Sequence, residues 1–178
     1  MNVLSQQIEF APELNDQLEL LQKVLKAEIN LTPENKKITA WATAIASQNA
    51  ALVAFIKDEV GELSPEEKKI MTIASSRMAV TNPYFMGRNV FPLQSGGTLN
   101  DINMRPFQAL DIHNETSYHY ACIAISSVNN GFVCFASHAN SLRASAQSED
   151  AIDQALRIIA SVLAIKQIMF NVTIADLK

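Results

Sequence analysis

Two cysteines, Cys122 and Cys134, are too few to frame a disulfide-knitted fold, and a reduced, cytoplasmic protein is the default expectation. Charge is scarce as well. Charged residues make up 18% of the chain, below the ~25% usual in globular domains, as expected where surface is hidden between subunits. No cluster of Lys and Arg breaks the net charge of −4, so the basic stripe that a nucleic-acid partner requires is missing. Long apolar runs are missing too. The stretch from Arg157 to Phe170 is interrupted by Lys166 and Gln167, and nothing approaches the ~20 apolar residues of a membrane span. Met1 to Gln7 carries neither a positive region nor an apolar core, so no secretory signal is expected. There is no strand-like alternation, no internal repeat and no low-complexity segment.

What remains is helical. The 178 residues, 48% of them hydrophobic, suit a single domain over 1–178 with a core of ordinary proportions. Leu14, Leu18, Leu21 and Leu25 recur at helical steps, with charged residues between them. Thr32-Pro33 reads as an N-cap followed by proline at the first helical position. The helix it opens carries Ile38, Trp41, Ala42 and Ile45. A third apolar segment runs from Ala51 to Val60 and stops at Gly61. Ser64-Pro65-Glu66-Glu67 is a capping box, opening a helix expected to end shortly before Pro83. Residues 89–114, with Pro92, Gly96, Gly97 and Pro106, read as a long connection holding a short helix near Asp101–Leu110. Helices are then expected over Ser117–Val128, from Phe132 or Val133 to Ala144, and onward from Ser148. The turn Asn129-Asn130-Gly131 joins the first two. Ile152, Leu156, Ile159, Leu163 and Ile165 make the last helix apolar on several sides, which suits a central or subunit-interface position.

Two pairs of side chains carry chemical promise. Cys134 opens a helix, where unpaired N–H groups and the helix dipole favour a thiolate. His138 lies one turn on, placed to take its proton. On the preceding helix, His119 and Cys122 share a face. A tight return through Gly131 would bring all four residues together as a candidate catalytic cluster. Each also has a plainer reading, with Cys122 as a small core residue beside Ile123 and Ile125, Cys134 as a buried thiol, and His119 as a histidine among tyrosines. Two His and two Cys are zinc ligand types as well, though the spacing by itself is a weak sign. The catalytic reading assigns no metal and no cofactor.

The segment Asn130-Gly131-Phe132-Val133-Cys134-Phe135-Ala136-Ser137-His138, continuing to Ser141-Leu142-Arg143, resembles the active-site segment of the alkyl hydroperoxidase D (AhpD) branch of the carboxymuconolactone decarboxylase family. Cys134 falls on the second cysteine of that family's Cys-x-x-Cys-x-x-x-His motif and His138 on its histidine. Asn82-Pro83-Tyr84-Phe85-Met86-Gly87-Arg88 resembles a second family segment. Met104-Arg105 and the Trp41 helix also fall where similar residues would. The resemblance implies an all-α helical bundle, a homo-oligomer of trimers or their multiples, and a thiol peroxidase or disulfide reductase. Such an enzyme draws electrons from a dithiol donor of lipoyl type and serves a peroxiredoxin. Two positions depart. Gly131 stands where the first motif cysteine would be. His119 stands where the relay glutamate would be, and Glu115, four residues earlier, is not assumed to replace it. One expectation is therefore an antioxidant thiol hydroperoxidase in which Cys134 attacks, His138 is its base, His119 replaces the relay carboxylate and Cys122 or an external thiol resolves the oxidised sulfur. The other is a catalytically degenerate relative kept as an oligomeric binding or assembly protein.

Overall fold

The computed structural model describes residues 13–175. The segment Met1–Gln7, on which the expectation about a signal rests, lies outside them. The described chain is carried by α-helices α1 (Glu13–Gln22), α2 (Pro33–Ala46), α3 (Ala50–Val60), α4 (Pro65–Val90), α5 (Glu115–Val128), α6 (Phe132–Ala144) and α7 (Glu149–Ala175). No strand occurs among the described residues, and no described helix is long and apolar enough to cross a membrane.

Local chemistry sets most helix starts. The Thr32 side chain accepts from Asn35 N at 3.2 Å, with Pro33 at the first helical position. Ser64 accepts from Glu67 N at 3.2 Å while Glu67 Oε2 accepts from Ser64 N at 2.6 Å, a complete capping box. Asn49 and Asn114 cap α3 and α5 in the same way. The α5 helix therefore begins at Glu115, ahead of the expected Ser117.

Two expectations change. The α4 helix does not stop before Pro83 but runs through it to Val90. Pro83 is exposed, so its ring faces solvent, and the missing N–H removes one ladder bond in a helix of 26 residues. Of the two places expected for the last helix, central or at a subunit interface, the central one is taken by α5 instead of α7. Residues 117–126 are buried without a break, and α2, α4, α6 and α7 all pack around them. The α7 helix lies against α1 and α2 and leaves Leu156 exposed. Buried polar groups pin this arrangement. Ser117 Oγ donates to Asn35 Oδ1 at 2.7 Å, and Gln154 Oε1 accepts from Leu31 N at 2.9 Å. Satisfied groups of this kind cost little to bury.

The stretch between α4 and α5 holds two 3₁₀ turns, Asn100–Ile102 and Phe107–Leu110, in place of one short helix. Side chains from α4 fasten it. Arg88 Nη2 donates to the carbonyls of Leu93 (3.0 Å) and Ser95 (2.7 Å), and Tyr84 Oη accepts from Gly97 N at 3.0 Å. The loop is thereby folded back along α4, which carries Leu99 and Phe107 to the site described next.

Candidate functional site

The turn between α5 and α6 is as tight as its sequence suggests. Asn130 adopts the left-handed conformation (φ 56°), and Gly131 N donates to the Ser126 carbonyl at 2.8 Å. The two helices fold back on each other. This return brings His119 against His138, with Nδ1 to Nδ1 at 2.9 Å. Phe107 from the long loop stacks on His119 with centroids 6.2 Å apart, and Tyr118 meets His138 edge-on at 5.8 Å.

Cys134 is the third residue of α6, 6% exposed, on the wall of a cavity of about 290 Å³. Met78, Phe85, Leu99, Tyr118 and Val133 give that cavity apolar walls. Arg77, Thr81, Ser137 and His138 supply its polar groups. His138 and Cys134 thus face one space, while the hydrogen bond recorded for the His138 ring goes to His119. The thiol is not activated in the way its helix-start position suggests. Burial raises the Cys134 pKa above the ordinary thiol value of 9.0, against the smaller opposing effect of a hydrogen bond with Thr81.

The histidines are shifted the other way. Burial pushes His138 down to about 4, helped by the nearby His119 and the Arg77 guanidinium. Burial also lowers His119, against the support of Glu115. Both imidazoles are neutral at pH 7. The pattern of hydrogen bonds then fixes their tautomers. Glu115 Oε1 lies 3.3 Å from His119 Nε2. An ionised carboxylate only accepts, so His119 carries its proton on Nε2 and offers a lone pair at Nδ1. The 2.9 Å contact therefore requires His138 to donate from Nδ1–H. That leaves the His138 Nε2 lone pair unprotonated, in the form a proton acceptor needs.

Cys122 has a different character. It is fully buried within α5, does not line the cavity, and is a free thiol like Cys134. Burial raises its pKa to about 12, opposed in part by the Tyr118 hydroxyl and Arg77. It is close enough to Cys134 for charge on that sulfur to raise it further. The zinc reading finds no support, because no group of three His, Cys, Asp or Glu side chains among the described residues is arranged to hold a metal ion. The two imidazoles that it would use hold each other instead.

Arg77 and Asn82 escaped the sequence reading, and Glu115 was considered there without being given a role. Arg77 stands one turn before Thr81 on α4, and its only visible sign was a charge beside the apolar Ile73, Ala74 and Met78. Glu115 is one turn before His119, a spacing that was visible. Asn82 gave no sign of its role. It is 2% exposed and occupies the space in front of Gly131. A Cβ on Gly131 would sit 2.3 Å from Asn82 Cγ and 2.8 Å from Asn82 Cβ. Gly131 is therefore a position of close approach, and a cysteine does not fit there until Asn82 moves. Asn82 Oδ1 accepts from Ser126 Oγ at 3.1 Å, whereas its Nδ2 has no partner.

No family model matches the chain. Individual relatives do. It is 29% identical to the alkyl hydroperoxide reductase AhpD of Mycobacteroides abscessus over 140 residues, 75% of this chain and 77% of the relative. The protein of the same name from Mycolicibacterium paratuberculosis is 27% identical over 155 residues (82% and 84%). That from Solibacter usitatus is 26% identical over 160 residues (89% and 90%). The chain is AhpD-like over most of its length, and its all-helical fold is of the kind that this likeness implies.

Proposed function

We propose that the protein is an AhpD-like thiol-dependent alkyl hydroperoxidase in which Cys134 is the attacking sulfur and the chain Glu115–His119–His138 moves its proton. The observation that carries this reading is the two-step hydrogen-bonded relay. The carboxylate missing at position 119 is regained through Glu115, 3.3 Å from His119, which in turn meets His138 at 2.9 Å.

The steps follow from the chemistry of the groups. His138 Nε2 takes the Cys134 proton. The thiolate attacks the terminal oxygen of a hydroperoxide, the S–O bond forms and the O–O bond breaks. The alkoxide leaves with the electron pair and takes the proton from His138, giving an alcohol and a Cys134 sulfenic acid. An external thiol then condenses with the sulfenic acid, releasing water and forming a mixed disulfide. A second thiol of the same donor displaces it and restores Cys134. A dithiol donor fits this sequence. Cys122 is a poor resolving group, because it lies outside the cavity with its thiol pushed up to about 12. Assembly as a homo-oligomer and service to a peroxiredoxin belong to the same proposal.

A second reading, a degenerate relative retained as an oligomeric binding or assembly protein, is favoured by one observation. Asn82 fills the space that a first motif cysteine would need, so the two-thiol cycle is closed to this chain. Single-turnover oxidation separates the readings. On treatment with cumene hydroperoxide, Cys134 is expected to form a sulfenic acid trapped by dimedone, with a rate that climbs beyond pH ~9 as the buried thiol ionises. His138→Ala should slow it by about 10²-fold or more at neutral pH, the contribution typical of a general base. No labelling at any pH, or labelling equal to that of Cys122, would leave the binding-protein reading in place.

A further inference from the structure

One charged side chain lines the thiol cavity, and no described acidic side chain pairs with it. Arg77 reaches the space from α4. Its Nη1 donates to the Arg105 carbonyl at 2.9 Å, which holds the guanidinium from the loop side, and the Tyr118 hydroxyl is also a hydrogen-bond partner. None of the ion pairs among the described residues includes it. His138 adds no charge at neutral pH, and the cavity has no acidic lining residue. The space therefore carries one positive charge between walls of Met78, Phe85, Leu99 and Val133.

An unpaired guanidinium in an apolar, half-enclosed cavity is a specificity element. A neutral alkyl peroxide would satisfy the walls but make no use of the Arg77 charge, whereas an inorganic anion would meet Arg77 and waste the walls. We infer that the cavity takes a short-chain carboxylic acid bearing a hydroperoxide, its carboxylate on Arg77, its hydrocarbon against Met78, Phe85 and Leu99, and its peroxide toward Cys134. At ~30 Å³ for each water-sized group, the cavity accepts a ligand of roughly ten non-hydrogen atoms. A carboxylate of this kind forms charge-assisted, forked hydrogen bonds that a planar guanidinium is shaped to give. The hydroperoxide part of this inference rests on the peroxidase reading, whereas the carboxylate subsite does not.

The test begins with binding. Octanoate and octan-1-ol are compared as protectants of Cys134 against alkylation by iodoacetamide, in the parent, Arg77→Gln and Arg77→Lys. In the parent, octanoate should protect at concentrations about tenfold lower than octan-1-ol, the scale of one charge-assisted hydrogen bond. Arg77→Gln should remove that preference and Arg77→Lys should restore part of it. Equal protection by the two compounds in the parent overturns the subsite without reference to any variant. So does an octanoate preference that survives in a folded Arg77→Gln protein. Turnover follows, with hexanoate carrying a terminal hydroperoxide set against hexyl hydroperoxide under a dithiol donor. The acid should be preferred in kcat/KM by about the same tenfold factor. Preference for octanoate with no reduction of either peroxide upholds the subsite and refutes the peroxidase reading instead.

Discussion

Acid should unfold this protein earlier than its carboxylates alone would. His138 is held neutral in the folded chain, with its pKa pushed down to about 4 from the ordinary 6.5. A group whose folded pKa lies below its unfolded value binds fewer protons when folded, so falling pH favours the unfolded chain. The loss starts near pH 6.5, grows as pH falls, and is complete below about pH 4. Linkage gives about 1.3 kcal/mol lost between about pH 7.5 and pH 5.5 from His138 alone, and about 3 kcal/mol once both states are protonated. His119 adds to the loss, since its pKa is lowered too. The window lies above the carboxylate range, where Glu28, held low by its Arg157 hydrogen bond, begins its own acid loss. Urea unfolding followed by far-UV circular dichroism across that window measures the slope. The stability of the His138→Asn protein should fall by about 1.3 kcal/mol less than that of the parent over the same interval. A flat profile in the parent, or a slope untouched by the substitution, would refute a buried neutral imidazole pair.

Two other predictions concern the same site. Nitrogen-15 spectra of the imidazoles at pH 7 should show His138 protonated on Nδ1 and His119 on Nε2, as the Glu115 contact demands. If both rings carry their protons on Nε2, no hydrogen bond joins them and the relay is absent. Gly131→Ala should cost about 1–3 kcal/mol by overpacking against Asn82, and a double-mutant cycle with Asn82→Ala should recover part of it. By the same overlap, Gly131→Cys should give no redox-active disulfide with Cys134 while Asn82 keeps its side chain, which a thiol count under dithiol titration reads directly. Additive costs in the cycle, or a ready disulfide in that variant, would show that Asn82 yields easily.

Helix starts were legible because a cap is a local device. Ser64 with Glu67, and Thr32 with Pro33, satisfy their own backbone donors within three residues, so the sequence carries the whole interaction. The Asn129–Gly131 return was legible for the same reason, and with it the meeting of His119 and His138. What failed depends on the environment of a residue. Pro83 signals a helix end by local rules, but tertiary packing of Met78, Thr81 and Asn82 carries α4 past it. Periodicity marked α7 as apolar on several sides but could not rank it against α5, whose small residues Ser117, Ala121 and Ala124 allow close packing all round. The Cys134 pKa was misjudged because a helix start is visible in a sequence and desolvation is not. Arg77 and Asn82 reach the site from α4, a distance along the chain that no motif spans.

The imidazole at position 119, where the AhpD resemblance implies a carboxylate, has an effect whose direction follows from charge. A carboxylate touching His138 would stabilise the imidazolium formed when the thiol loses its proton. Here the negative charge sits one ring further out, on an exposed Glu115 that water and salt screen. The imidazolium would face a neutral ring, which accepts one hydrogen bond and supplies no net charge. Both members of the thiolate–imidazolium pair are disfavoured chiefly by burial, which raises the Cys134 pKa and lowers that of His138, and no adjacent carboxylate offsets it. The permanent positive charge on the cavity wall is Arg77; it lowers the pKa of His138, whereas the thiol shift is dominated by burial. An anion bound at Arg77 would cancel that charge and let His138 accept a proton more readily. Proton uptake by His138, and with it thiol ionisation, would then be coupled to occupation of the cavity. The His138 pKa, followed by nitrogen-15 spectra with and without octanoate, should rise on binding in the parent and stay fixed in Arg77→Gln. A His138 pKa indifferent to octanoate in the parent, at concentrations that protect Cys134, would sever the coupling between the guanidinium and the relay.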